Sequence, residues 1–298
     1  AAITVYMMTR LSLPVSTTQA IVGAIIGWNL FTGNKTDTTT LTKIVTTWIS
    51  GPVLGAIFAI LLYMLIRRIK RKSGIHLIIF ESHIKTGLIL VGAFGAYSLG
   101  ANNIANVMGV FVPAFSLDDL DLGIFSLNSA QQLFLLGGLA IAAGILTYSK
   151  KVMETVGTGI ISLSSEAALV VVLAQALVLF IFSSSFLSDL LVKAGLPRIP
   201  LVPVSSSQVI VGSVIGIGLY KGAGNINLRI LGEIAAGWVS TPVIAGVISF
   251  FSLFFVRNIF TIDIGTRVME TGVAAAASKP WNVSEVMKYV ILAVIAAG

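Results

Sequence analysis

Long apolar runs divide this chain at 48–66, 86–117, 128–148, 165–187, 201–220, 231–256 and 285–297. Most approach the ~20 residues that cross a bilayer as a helix. They are continuous rather than alternating, which points to helices and away from a lipid-facing barrel. The pattern predicts an all-α polytopic membrane protein. Polar interruptions carry the next level of information. Residues 14–23 read PVSTTQAIVG and residues 203–212 read PVSSSQVIVG, so a proline and a set of hydroxyl residues open an apolar stretch twice.

The echo extends further. Gly23 and Gly27 match Gly212 and Gly216, Leu30 matches Leu219, and after one residue of slippage Trp48, Ser50 and Pro52 match Trp238, Ser240 and Pro242. A period this long is too great for a solenoid unit and suits a transporter built from two related halves. The run after Trp48 ends in RRIKRK, whereas the run after Trp238 ends with Arg257 alone, a bias that supports inverted halves. The second half carries SLGANNIANVMG at 98–109, about a hundred residues before its hydroxyl motif. The same spacing projected from PVSTTQ falls before residue 1, so the N-terminal part of the first repeat is expected to be absent. The expected organisation is 1–66 as the remainder of a first inverted repeat, 67–85 as a basic cytoplasmic linker and interfacial segment, and 86–298 as the second repeat with C-terminal helices.

Composition agrees with the pattern. Hydrophobic residues make up 56% of 298 and charged residues only 10%, against about a quarter in soluble domains. The net charge of +7 gathers at Arg67, Arg68, Lys70, Arg71 and Lys72, directly after an apolar run, so it reads as a cytoplasmic anchor and not as a nucleic-acid patch. The absence of cysteine removes disulfides, thiolate metal sites and cysteine nucleophiles.

Ser16 with Gln19 and Ser205 with Gln208 have capping-box spacing, so each motif predicts a helix start, and LPRIPLVP at 196–203 must be irregular backbone before the second. Such backbone at membrane depth belongs in protein or beside a wet cavity. A helix start there aims free N–H groups and a partial positive charge forward, with Thr17, Thr18, Ser206 and Ser207 as extra donors. That suits an oxyanion such as phosphate or sulfate; the competing reading is hydroxyls that only cap helices and glue them together. In GANNIAN, Gly95 and Gly100 permit a break in a helix expected from about 86 to 117, and Asn102 and Asn106 share a face beside Asn103. Their carbonyl oxygens, with carbonyls freed by the break, suit a hard cation such as Na⁺, and an interhelical amide cluster is the alternative. Glu166 and Glu233 open apolar runs and read as interfacial or capping acids, with Glu166 also a gating or coupling candidate. Glu154 and Glu270, in KVMET and RVMET, read as helix ends, and His76 and His83 as surface histidines.

With both motifs in this order and spacing, the sequence resembles the inorganic phosphate transporter (PiT) family, whose halves each carry GANDVAN-like and PVSTTH-like signatures. The resemblance covers nearly the whole chain. It implies an inverted-repeat secondary transporter with broken or re-entrant helices in the cell (plasma) membrane, importing inorganic phosphate with Na⁺ or H⁺. Carried over by residue, phosphate falls to Ser16, Thr17, Thr18, Ser205, Ser206, Ser207 and Asn103, and Na⁺ to Asn102, Asn103, Asn106, Gln19 and Gln208. Here Asn103 stands where the family has aspartate, and Gln19 and Gln208 where it has histidine. Amides ligate Na⁺ but do not relay protons, so the expectation is a Na⁺ symporter. An H⁺-coupled phosphate or sulfate permease is the alternative, and an uncoupled anion channel ranks below it. No enzyme activity and no organic cofactor are expected; the partners are phosphate, Na⁺ and the lipid bilayer, with a homodimer as a candidate assembly and no nucleic acid.

Overall fold

The computed structural model describes residues 1–74, 76–121, 126–224 and 226–261. They form ten α-helices: α1 Ala2–Arg10, α2 Thr17–Thr32, α3 Thr38–Ser73, α4 Leu77–Met108, α5 Ser129–Tyr148, α6 Lys150–Glu154, α7 Ser165–Ser183, α8 Ser185–Lys193, α9 Ser206–Tyr220 and α10 Leu228–Phe260. A π-helical turn, Thr155–Gly159, follows α6, and Leu120–Asp121 pairs antiparallel with Ser126–Leu127. Five helices, α3, α4, α5, α7 and α10, are long and apolar enough to span a membrane. The apolar run 285–297 and Glu270 lie outside the described residues.

Short polar residues set the helix starts. Asp37 caps α3 through the N–H groups of Thr39 and Thr40, and hydrogen bonds from Thr40 hold its carboxyl below the usual carboxylate range. Asn128 and Gln131 close a full reciprocal capping box on α5. Ser164, Ser184 and Asn227 cap α7, α8 and α10. The basic residues 67–72 ride on the last turns of α3, where cations meet the negative end of the helix dipole.

The break expected near Gly95 and Gly100 does not occur. The helix runs unbroken from Leu77 to Met108, beginning earlier and ending sooner than the 86–117 run suggests. Each glycine costs a helix only about 1 kcal/mol, less than unpaired backbone groups cost in apolar surroundings. Gly95 instead permits close packing: a Cβ there would sit 3.3 Å from Val172 on α7.

The two sequence echoes pack across each other. α2 lies mainly on α10, and α9 lies mainly on α3. A Cβ on Gly23 would fall 2.1 Å from the Pro242 carbonyl oxygen, and one on Gly27 2.2 Å from that of Gly246. The other pair repeats this, with Gly212 against Pro52 at 2.2 Å and Gly216 against Ala56 at 2.6 Å. In both pairs the contacts advance together along the two chains, so the helices run parallel. Glycine is required at these four positions because the neighbour is backbone, which cannot rotate away. Pro52 and Pro242 lie inside α3 and α10 and each removes one helical N–H. The largest core cluster joins α3, α7, α9, α10 and the π turn around Ile160, Val170, Ile217 and Ile234, all fully buried.

Candidate functional site

Both hydroxyl motifs open helices. Ser16 caps α2 and Ser205 caps α9, each accepting at 3.3 Å from the N–H of its glutamine, Gln19 or Gln208. The first intrahelical bonds begin one residue later, from Ala20 to the Ser16 carbonyl and from Val209 to the Ser205 carbonyl. The N–H groups of Thr17, Thr18, Ser206 and Ser207 therefore precede the ladder and face forward. At 16 and 15 residues, α2 and α9 reach only about 24 and 22 Å, short of the ~30 Å hydrocarbon core. Irregular backbone precedes each, at 13–16 and 196–205, as the prolines require.

The capping box is only half formed. Neither glutamine side chain returns to its cap residue, and the Oε1 atoms of Gln19 and Gln208 are buried with no hydrogen-bond partner among the described residues. An acceptor left this way carries its full desolvation cost. The two occupy equivalent positions in the repeat.

Helix α4 connects the two starts. The Asn102 amide acts as a backbone strand toward Val204: its Nδ2 donates to the Val204 carbonyl at 2.7 Å, and its Oδ1 accepts from the Val204 N–H at 3.1 Å. Nδ2 also donates to Asn103 Oδ1 at 3.1 Å. One turn on, Asn106 Nδ2 donates to Thr18 Oγ1 at 3.0 Å. Asn102 thus pins the second motif and Asn106 the first. Asn102 and Asn106 therefore bridge α4 to the two helix starts, the contact expected of one of the two readings open for them. Ser98, one turn before Asn102, adds a buried Oγ without a partner.

A cavity of about 500 Å³ opens beside the helix starts, within the range of small-molecule sites. Thr17 and Ser206, equivalent in the repeat, both line it, with Ser207, Gln175 and a largely apolar remainder that includes Leu99 and Met153. Gln175 was not among the sequence candidates. It projects from α7, and its Nε2 donates to the Ser206 carbonyl at 3.4 Å. Its signal in the sequence was a lone amide in an otherwise apolar stretch, ALVVVLAQALVLFIF. The remaining hydroxyls turn elsewhere: Thr18 faces Asn106, and Ser205 Oγ lies 3.3 Å from Ser207 Oγ.

Glu166 is not part of this cluster. It stands in the first turn of α7, paired with Lys70 from the basic end of α3, and Lys70 also lies 4.6 Å from the Phe80 ring centroid. Glu233 pairs with Arg229 on the exposed face of α10, and Glu154 is exposed at the end of α6. His83 bonds its own helix through the Ile79 carbonyl, and His76 sits at the N-cap of α4. Among the described residues no group of three or more His, Asp or Glu side chains is placed to hold a metal.

One contact differs between the two copies of the motif. Trp238 Nε1 donates to the Pro14 carbonyl at 3.0 Å, fixing the loop before α2 against α10. Trp48, its counterpart on α3, has a buried Nε1 with no partner among the described residues.

Comparison with known proteins adds to this geometry. The model of the phosphate transporter family matches residues 1–249. A candidate phosphate permease of Pyrococcus horikoshii is 25% identical over 316 aligned positions, covering 84% of this chain and 74% of that protein. The sulfate permease of Bacillus subtilis is 28% identical over 279 positions, covering 90% of this chain and 69% of that protein. A solved sodium-dependent phosphate transporter aligns in space with a TM-score of 0.42 at 18% identity, over 85% of this chain and 67% of the other.

Proposed function

The chain belongs to the phosphate transporter family, and we propose that it is a secondary symporter that imports inorganic phosphate together with Na⁺. Family membership places it among multi-pass membrane transporters and not among enzymes. The observation that carries the reading is the pair of links from α4, Asn102 to Val204 and Asn106 to Thr18, which tie both helix starts to one helix. Phosphate is held by the forward N–H groups and hydroxyls of Thr17, Ser206 and Ser207 beside the cavity, with Ser16, Thr18, Ser205 and Asn103 completing the polar set. The tetrahedral anion needs many donors and no large volume, and the two positive helix ends supply both charge and direction.

Na⁺ is assigned to amide oxygens. The buried, unpartnered Oε1 atoms of Gln19 and Gln208 support this, because each is an acceptor that a bare cation satisfies. Asn102, Asn103 and Asn106 provide further oxygens at the junction. Co-transport also answers a cost: moving one charge against 100 mV takes about 2.3 kcal/mol, which a divalent anion meets twice and accompanying cations cancel. Glu166, paired with Lys70 on the basic side, is assigned to gating and not to substrate.

A second reading has its own support. Amides stand where the family's ionisable residues do, and the sulfate permease of Bacillus subtilis covers 90% of the chain. A sulfate permease would use the same donors. Radiolabelled phosphate uptake into liposomes carrying the full-length protein separates these readings. Uptake that requires an inward Na⁺ gradient and ignores excess sulfate is expected. Uptake driven by a proton gradient alone would overturn the coupling, and blockade by sulfate would overturn the substrate.

A further inference from the structure

We propose that the basic groove between the C-terminal ends of α3 and α9 binds the headgroup of an anionic phospholipid. A cavity of about 560 Å³ lies there, lined by Leu61, Met64, Leu65, Arg67, Arg68, Arg71 and Tyr220. On α3, Leu61, Met64, Leu65, Arg68 and Arg71 follow at helical spacing, so one exposed stripe changes from apolar to basic within about three turns. That is the profile of a lipid: acyl chains along Leu61, Met64 and Leu65, and a phosphodiester at the arginines.

The groove is built by more than charge. Tyr220 closes one side, with the Arg67 guanidinium carbon 6.0 Å from its ring centroid. Tyr63 meets Tyr220 edge-on at 5.4 Å, and Lys221 Nζ lies 5.5 Å from the Tyr63 ring. These contacts set two cations at the rim over ring faces. Among the described residues no carboxylate pairs with Arg67, Arg68 or Arg71. Arginine forks match phosphodiester oxygens in pairs, and basic clusters at the end of a spanning helix are where anionic headgroups collect.

The occupant would also have a mechanical consequence. Tyr220 ends the short helix whose other end carries Ser205 and the substrate hydroxyls. A headgroup seated between Arg68, Arg71 and Tyr220 joins the ends of α3 and α9 and braces that helix from behind.

The test is native mass spectrometry of the full-length protein in detergent, with phosphatidylglycerol or phosphatidylcholine added. The wild type is expected to retain phosphatidylglycerol preferentially, less so as salt rises, and to keep it in the presence of inorganic phosphate. Arg68→Gln with Arg71→Gln is expected to lose roughly tenfold or more of that preference, since each basic residue near a headgroup contributes appreciably. Lys72→Gln with Lys85→Gln, an equal charge change outside the groove, is expected to stay within about twofold. Equal losses in the two double variants would reduce the effect to general charge and overturn the site. Displacement of the lipid by inorganic phosphate would assign the groove to the free anion, and an arginine variant that changed only the oligomeric state would assign it to a second copy of the chain. If the arginine variant does not fold, the wild type still decides the matter: equal retention of both lipids would end the proposal.

Discussion

Gly212→Ala is the sharpest probe of the crossed packing. The new Cβ would lie 2.2 Å from the Pro52 carbonyl oxygen, 2.5 Å from its Cα and 2.7 Å from its carbonyl carbon. Ordinary carbon contacts begin near 3.5 Å, so α9 must retreat from α3 by about 1 Å. Nothing on the α3 side can yield, because all three atoms are backbone, and one turn later a Cβ on Gly216 would likewise fall 2.6 Å from the Ala56 carbonyl oxygen. Overpacking of this kind costs about 1–3 kcal/mol, which for a chain of this size lowers the melting temperature by roughly 5 °C. Gly23→Ala, facing Pro242 at 2.1 Å, should match it on the other pair. Gly138→Ala on α5 meets nothing within 4 Å and should be neutral, or gain the ~1 kcal/mol of alanine's helix propensity. Thermal unfolding of detergent-solubilised protein, followed by tryptophan fluorescence, measures all three. Transport should fall with Gly212→Ala as well, since a 1 Å shift of α9 carries Ser206 and Ser207 with it. Wild-type stability for both Gly212→Ala and Gly23→Ala, or an equal loss in Gly138→Ala, would refute the reasoning.

Three further predictions come from the site. Asn102→Ala removes both partners of a buried backbone pair at Val204 and should cost about 2–3 kcal/mol in the same melt, with uptake lost; an unchanged melt would show that Val204 is held by other means. Gln208→Leu removes a buried acceptor with no partner, so stability without Na⁺ should be unchanged or higher while the Na⁺ dependence of uptake weakens; a fall in stability with Na⁺ dependence intact would remove Gln208 from the cation site. Trp238→Phe should cost about 1 kcal/mol by breaking the bond to Pro14, whereas Trp48→Phe should cost less, and equal losses would mean that the two loops are not in different states.

Much of the fold could be read from the order of apolar and polar residues. The runs at 48–66, 128–148, 165–187 and 231–256 fall within or nearly coincide with spanning helices, and the hydroxyl motifs mark the starts of α2 and α9. The residues less legible in sequence are those whose role depends on a partner. Gly95 and Gly100 resemble helix breaks because glycine's local propensity is poor, yet the bilayer penalises free backbone groups more than it penalises glycine. Gly23 with Gly27 and Gly212 with Gly216 show small-residue spacing, which permits close approach without naming the facing helix; that each pair lies on the other half's long helix is a fact of tertiary structure. Gln175 was hidden for a similar reason, since a single amide on an apolar helix has no chemistry until a neighbour, here the Ser206 carbonyl, is placed beside it.

The crossed arrangement bears on how two ligands could be coupled. Each short helix is fixed at two points: its start to α4, through Asn106 for α2 and Asn102 for α9, and its flank to a proline-bearing long helix, Pro242 for α2 and Pro52 for α9. A ligand that moved one start would load α4, which also holds the other. It can shift the whole assembly only by the difference in its affinity for the two arrangements. The tryptophans differ between the two copies. The same proline-led loop is bonded to its tryptophan before α2 and unbonded before α9. One piece of sequence thus occupies two hydrogen-bonding states in one molecule. If the states exchange between the halves as the site opens to one side or the other, a bond lost at Trp238 is replaced by one gained at Trp48, and the exchange costs little. An alternating carrier requires such near-degeneracy.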